Sequence, residues 1–187
     1  SSKWLEYWVE ARFDWYKSLG IAENKLRLRQ HEKDELAHYA ADCYDVEYEF
    51  PFGWSELEGI ADRGTYDLDQ HVSHSGKKMT WFDSKTNEHI TPAVVEASAG
   101  VDRTVLTVLA DAYHEEEVKG EKRVVLRLSP RVAPITAAVF PLVNRGGMPD
   151  IAQKIVNDLR GNFAAFFDSG GSIGRRYRRQ DEAGTPF

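Results

Sequence analysis

The chain has 187 residues, enough for one domain of ordinary size or one and a fraction, of which 42% are AVILMFWYC, 12% aromatic and 29% charged. That much aromatic and branched surface offsets chain entropy on burial and excludes a disordered segment, and no run of about 18 uncharged apolar residues exists to span a membrane. The single cysteine, Cys43, excludes an intrachain disulfide and a four-cysteine zinc site and fits a reducing compartment, while a net charge of −6 requires any nucleic-acid partner to meet a local basic patch.

In chain order, Leu5, Trp8, Trp15, Tyr16 and Leu19 recur at helical spacing with charged residues between them, and Gly20 stands where a left-handed C-cap belongs. The Ser1-Ser2-Lys3-Trp4 start has no signal-peptide pattern. A short helix is expected over 34–41. Tyr44, Val46, Tyr48 and Phe50 alternate with Asp45, Glu47 and Glu49, which predicts a half-buried strand, and Pro51-Phe52-Gly53 predicts a turn. Residues 54–63 fit helix or strand, with Gly59 weighing against helix. A helix is expected over 66–74, closed by Gly76, then strands over 79–82 and 93–98, then a helix over 101–113 with a wide apolar face. The run His114 to Arg123 reads as a charged, solvated stretch, a lid or a boundary. Beyond it come a strand over 135–142 buried on both faces, a helix over 149–160 with Pro149 near its first position, and a strand over 162–167. A basic helix over 173–182, closed by Gly184, follows. Two units result, 1–123 and 124–187, and Thr185-Pro186-Phe187 points toward a further strand, so a portion of a longer chain is expected.

Four stretches carry chemistry. In Val94 to Arg103 a strand ends in a carboxylate, small residues follow, Gly100 lets backbone approach a ligand, and an arginine opens a helix. Glu96 and Ser98 could hold an ammonium and Arg103 a phosphate or a base; the competing reading is a structural Glu–Arg pair at a strand–turn–helix joint. Glu56 and Glu58 are two apart, so on a regular strand they share a face, as a magnesium–nucleotide or amine site or as a solvated edge. His71 and His74, three apart on a helix, lack a third ligand and read as surface residues, and Cys43 reads as strand packing. Arg175, Arg176, Arg178 and Arg179 flank Tyr177, either to meet phosphates and stack on a base or as an exposed helix face balanced by Asp181 and Glu182.

Taken in order, these stretches resemble the dimeric type of glycyl-tRNA synthetase, a class II aminoacyl-tRNA synthetase. The likeness is carried by Glu35 to Ala40 (ELAHYA), Asp45 to Tyr48 (DVEY), Phe50 to Trp54 (FPFGW), Glu56 to Ala61 (ELEGIA) and Tyr66-Asp67-Leu68 with His71. It continues in Ser75-Gly76, Val95-Glu96, Ser98 to Arg103 (SAGVDR), Ala133-Pro134-Ile135, Ile173 to Glu182 (IGRRYRRQDE) and Gly184 to Phe187 (GTPF). The resemblance implies an α+β fold: part of a class II antiparallel catalytic sheet over 1–123, then a truncated class IIa anticodon-binding α/β domain over 124–187. It implies a ligase that activates glycine with ATP and passes it to glycine tRNA, with magnesium, a homodimer, the cytoplasm and no membrane. Glu56 and Leu57 match the family's ATP-contacting pair, with Glu56 also the magnesium-side carboxylate. Glu96, Ala97, Ser98, Ala99 and Gly100 match its glycine-binding segment. Gly100, Val101, Asp102 and Arg103 match its ATP segment in motif 3, with Glu56 and Arg103 as the catalytic pair. Arg175, Arg176, Arg178 and Arg179 are the expected tRNA contacts.

Two departures stand out. The family usually has proline where this chain has Ala97. Class II motifs 1 and 2 are absent from the chain and are expected upstream of Ser1, so the chain alone is expected to be inactive. A non-catalytic synthetase-like accessory protein that binds nucleic acid is the alternative, set against the retention of Glu56, Glu96, Ser98 and Arg103. Which of Glu56 and Glu58 faces a ligand depends on one residue of strand register.

Overall fold

The computed structural model describes residues 1–187 and divides them into two compact units, Ser1–Ser18 with Ala22–Val105, and Leu19–Ile21 with Leu106–Phe187. The division falls within a helix. The expected boundary at 123/124 falls instead inside a paired strand.

The first unit is an antiparallel sheet with a helix on one face. Helix α1 (Ser2–Ser18) turns Leu5, Val9 and Tyr16 inward and ends near Gly20, whose φ of 95° is the left-handed value expected of a C-cap. The strands are β1 (Leu26–Gln30), β2 (Asp42–Phe50), β3 (Gly53–Gly64) and β6 (Val94–Ala99), in the order β1-β2-β3-β6. Val46, Tyr48 and Ile60 are at most 1% exposed and form the floor under α1, so the period-two pattern of β2 is realised. Residues 54–63 resolve as strand: each β3 position from Gly53 to Asp62 except Leu57 pairs with β2. The short helix expected over 34–41 is instead two isolated turns, closed by Glu35 N–H to Glu32 O and Ala40 N–H to Ala37 O.

Helix α2 (Tyr66–Ser75) ends at Gly76, with φ of 66°. The strand expected over 79–82 is β4 (Trp81–Asp83), which pairs with β5 (Glu88–Ile90), a partner the residue pattern did not announce. Helix α3 (Val101–Ala112) follows β6 directly, and Val105, Leu106 and Leu109 on its apolar face remain exposed.

In the second unit, after the end of α3, come β7 (Tyr113–Val118) and β8 (Glu121–Leu126), an antiparallel hairpin. The charged run 114–123 is therefore paired strand. Lys119 and Gly120 both have positive φ, 55° and 80°, as a two-residue hairpin turn requires. The strand expected over 135–142 is shorter and less buried: β9 (Ala137–Val139) is half-exposed and pairs in parallel with β10 (Ala165–Phe167). Helix α4 (Met148–Leu159) crosses between them, carrying the only fully buried side chain of its face, Val156, and proline in its first turn. Helix α5 (Ile173–Ala183) ends at Gly184, φ 80°. Phe187 then exchanges backbone hydrogen bonds with β9, its N–H donating to Thr136 O and its O accepting from Ala138 N–H.

Candidate functional site

Residues paired across a ladder share a face, so the register sorts the sheet into two surfaces. On the α1 side lie Tyr44, Val46, Tyr48, Glu58 and Ile60. On the other lie Arg27, Arg29, Cys43, Asp45, Glu47, Glu56, Gly59, Ala61, Glu96 and Ser98, all of them polar, small or charged.

A β-bulge decides where the two β3 carboxylates go. Val46 pairs with Glu58 and Glu47 with Glu56, so Leu57 is the extra residue. Glu56 and Glu58, expected to share a face, are placed on opposite faces. Glu58 is 1% exposed and takes Arg12 Nε and Nη2 at 2.6 and 2.9 Å. Arg12 also stacks on Trp15, and Glu58 raises its already high pKa. Burial, reinforced by Glu58, pushes the Tyr16 hydroxyl well above its ordinary value. Glu58 is thus committed to the core, and Glu56 is the carboxylate that meets solvent on the open face.

The Val94 to Arg103 stretch folds as strand β6, a break at Gly100, and α3. Glu96 and Ser98 are opposite Ala61 and Gly59 and project to the open face with Glu56. Gly59 keeps that surface low: a Cβ there would sit 3.6 Å from Glu56 Oε1 and 3.7 Å from Asp45 Oδ1. Ala97 and Ala99 pair with Ile60 and Glu58 and so belong to the α1 side of the sheet. Gly100 O accepts from the Thr104 hydroxyl and N–H, anchoring the first turn of α3. Val101, Asp102 and Arg103 are exposed on that turn, and Arg103 Nη1 donates to Glu56 O at 2.7 Å, so its guanidinium reaches the bulge. Leu57 is buried at 2% and meets a ligand only through its backbone.

Arg63, to which the residue pattern assigned no role, organises the other end. It donates Nη1 to Glu96 Oε2 at 2.5 Å and Nε and Nη2 to Asp67, and stacks on Tyr39 with its guanidinium carbon 3.9 Å from the ring centroid. Asp67, then Glu96, raises the Arg63 pKa, and Arg63 in turn holds Asp67 below the usual carboxylate range. The Arg63/Asp67 spacing of four at a helix start was the available signal; the Glu96 contact is long-range and had none. His31 meets Asp45 through Nε2 at 2.7 Å, and burial, then the negative charge of Asp45, pushes the Cys43 thiol up to about 11. His71 and His74 lie exposed on α2.

The α5 arginines separate by role. Arg176 is 3% exposed and donates to Pro141 O and Gly171 O, which fixes the helix to the unit. Arg178 meets Glu182 and Glu121, and Arg179 meets Asp168, whose pKa it lowers. Arg175 is exposed. The row expected as one contact surface is thus partly internal.

Residues 136–187, within the second unit, match the family described as "Anticodon binding domain". Over 99% of its length the chain is 53% identical to a glycine–tRNA ligase of Caldanaerobacter subterraneus subsp. tengcongensis and 49% identical to one of Treponema denticola. It is 51% identical over 98% of its length to the glycine–tRNA ligase of Chlorobaculum tepidum. The chain spans about two fifths of these relatives, 40%, 42% and 39% respectively. The likeness to glycyl-tRNA synthetases read from the motifs therefore holds across nearly the whole chain, and an antiparallel sheet followed by an anticodon-binding unit is the class II arrangement.

Proposed function

We propose that this chain supplies the motif 3 side of a glycine–tRNA ligase active site together with part of its anticodon-binding domain. The catalytic role is assigned to residues 1–123 and tRNA recognition to 124–187, a functional division that does not coincide with the compact units, since the β7-β8 hairpin lies wholly in the second. The observation that supports this most is the placement of Glu56, Glu96 and Ser98 on one sheet face, with Arg103 anchored at the bulge beside them. Glu96 carries negative charge and Ser98 a hydroxyl, two residues apart, which suits an α-ammonium. Gly59 opposite Ser98 leaves the sheet surface without a side chain there, space that a small amino acid would use. Gly100 to Arg103 and the Glu56–Leu57 backbone offer donors and a guanidinium to ATP.

In the reaction a carboxylate oxygen of glycine attacks the α-phosphorus of ATP, the bond to the bridging oxygen breaks, and pyrophosphate leaves. A ribose hydroxyl of the tRNA then attacks the glycyl carbonyl and AMP leaves. No covalent enzyme intermediate is needed. The residues orient the two substrates and neutralise charge, with Arg103 on the nucleotide and Glu96 on the ammonium. Glu56 is exposed and holds no ion-pair partner, so its carboxylate would hold a magnesium ion there. That ion would supply charge neutralisation on the phosphates. The complete enzyme acts as a homodimer in the cytoplasm, and Arg175, Arg178 and Arg179 offer charge to tRNA.

The test is ATP–pyrophosphate exchange in a complete ligase carrying this sequence. Glu96→Ala and Arg103→Ala each lower glycine-dependent exchange by about 100-fold or more, as expected for charged groups on reacting partners. Exchange at the unsubstituted rate in both would overturn the assigned roles. No exchange in the unsubstituted complete enzyme would favour the accessory-protein alternative.

A further inference from the structure

His31, Cys43 and Asp45 form a second cluster on the open sheet face, apart from Glu96, Ser98 and Arg103. His31 continues β1 beyond its last paired residue and donates its N–H to Cys43 O at 3.0 Å, so the two are direct cross-strand neighbours. Asp45 lies two residues along β2 and shares their face. Their donor atoms, an imidazole nitrogen, a sulfur and a carboxylate oxygen, all lie within 4.8 Å of one another. Four-coordinate zinc holds such donors at about 2.0–2.3 Å, which sets them about 3.3–3.8 Å apart, so small side-chain adjustments close the site.

We infer that His31, Cys43 and Asp45 form a binding site for a soft divalent ion of the zinc type, with a fourth position open to water. The donor set selects the class: thiolate with imidazole suits zinc or cobalt, whereas magnesium and calcium take oxygen donors. Three further observations favour a cation here. Asp45 is 6% exposed, so its charge is largely withdrawn from water. His31 Nε2 and Asp45 Oδ2 face each other at 2.7 Å, so two of the three donors already converge. The nearest competing cation, Arg29, lies 3.6 Å from Asp45 and is drawn toward Glu35 by a closer ion pair. On binding, the thiol proton passes to solvent and the His31–Asp45 hydrogen bond is exchanged for two bonds to the metal.

The experiment is a cobalt(II) titration of the metal-free full chain, followed by absorption. The expected result is saturation at one equivalent, a sulfur-to-cobalt charge-transfer band with the intense visible bands of a four-coordinate ion, and bleaching when zinc is added. Cys43→Ala removes the charge-transfer band, and His31→Gln weakens binding by more than about tenfold. No charge-transfer band in the unsubstituted chain, or undiminished affinity in His31→Gln, overturns the site. As a measurement independent of variant folding, zinc slows iodoacetamide alkylation of Cys43 in the unsubstituted chain by more than about tenfold; alkylation at an unchanged rate overturns it.

Discussion

The two faces of the β1-β2-β3-β6 sheet are built on the same twelve-residue strand β3 and yet resolve their charges in opposite ways. Under α1 Glu58 is fully withdrawn from water and held by two bonds from Arg12, and on the same face Asp62, 4% exposed, accepts from Gly64 N–H. On the open face Asp45, Glu47 and Glu96 pair with Arg27, Arg29, His31 and Arg63, whose side chains keep part of their water, and Glu56 stands exposed without an ion pair. A buried pair is costly to break because the survivor keeps its desolvation penalty, whereas a solvated pair loses little. Stability therefore belongs to one face and chemistry to the other. The same division recurs within α5, where Arg176 is internal and Arg175 is not.

The sharpest way to break this contrast is Glu58→Ala, which strands Arg12 and should cost about 3–5 kcal/mol in urea unfolding. Replacing both partners with methionine should recover much of that loss; a double variant as unstable as the single one would contradict the account. In α5, Arg176→Ala leaves two carbonyls without their donor and should cost about 1–3 kcal/mol. Arg175→Ala should leave the unfolding midpoint unchanged and weaken salt-sensitive tRNA retention on filters. On the open face Glu47→Gln should cost no more than about 1 kcal/mol, since its partner Arg27 is half-exposed and also stacks on Trp54. Gly59→Ala should keep the fold, because the added methyl meets its neighbours at ordinary contact distance, and lower glycine-dependent exchange. The smallest effect concerns Asp168. Arg179 lowers its folded pKa, so the pair contributes fully above the ordinary aspartate range near pH 4 and is lost as pH falls through the lowered value. Asp168→Asn should flatten the acid limb of stability in that window, measured by unfolding at successive pH values.

Much of this arrangement was legible in the residues. The helices with a glycine stop, α1, α2 and α5, and the alternating strand β2 were read from apolar spacing and caps. The β7-β8 hairpin was not, because charged residues occupy both of its faces and its turn is Lys119-Gly120 rather than a strong turn pair. At the site, the motif residues Glu56, Glu96, Ser98 and Arg103 were visible as a pattern. Their separation from Glu58 was not, since a ladder that skips one residue leaves no mark in hydrophobic alternation. The Arg63–Glu96 and Arg12–Glu58 pairs join residues 33 and 46 positions apart, beyond any local rule.

The skipped residue at Leu57 has a practical consequence for anyone who transplants this strand. Odd and even numbering exchange their meaning there: before it an even number points to solvent, and after it an even number points to the interior. A segment borrowed from an evenly paired strand and laid across positions 53–64 would arrive half inside out, placing an acidic group in the hydrocarbon interior or a branched aliphatic one where substrates would dock.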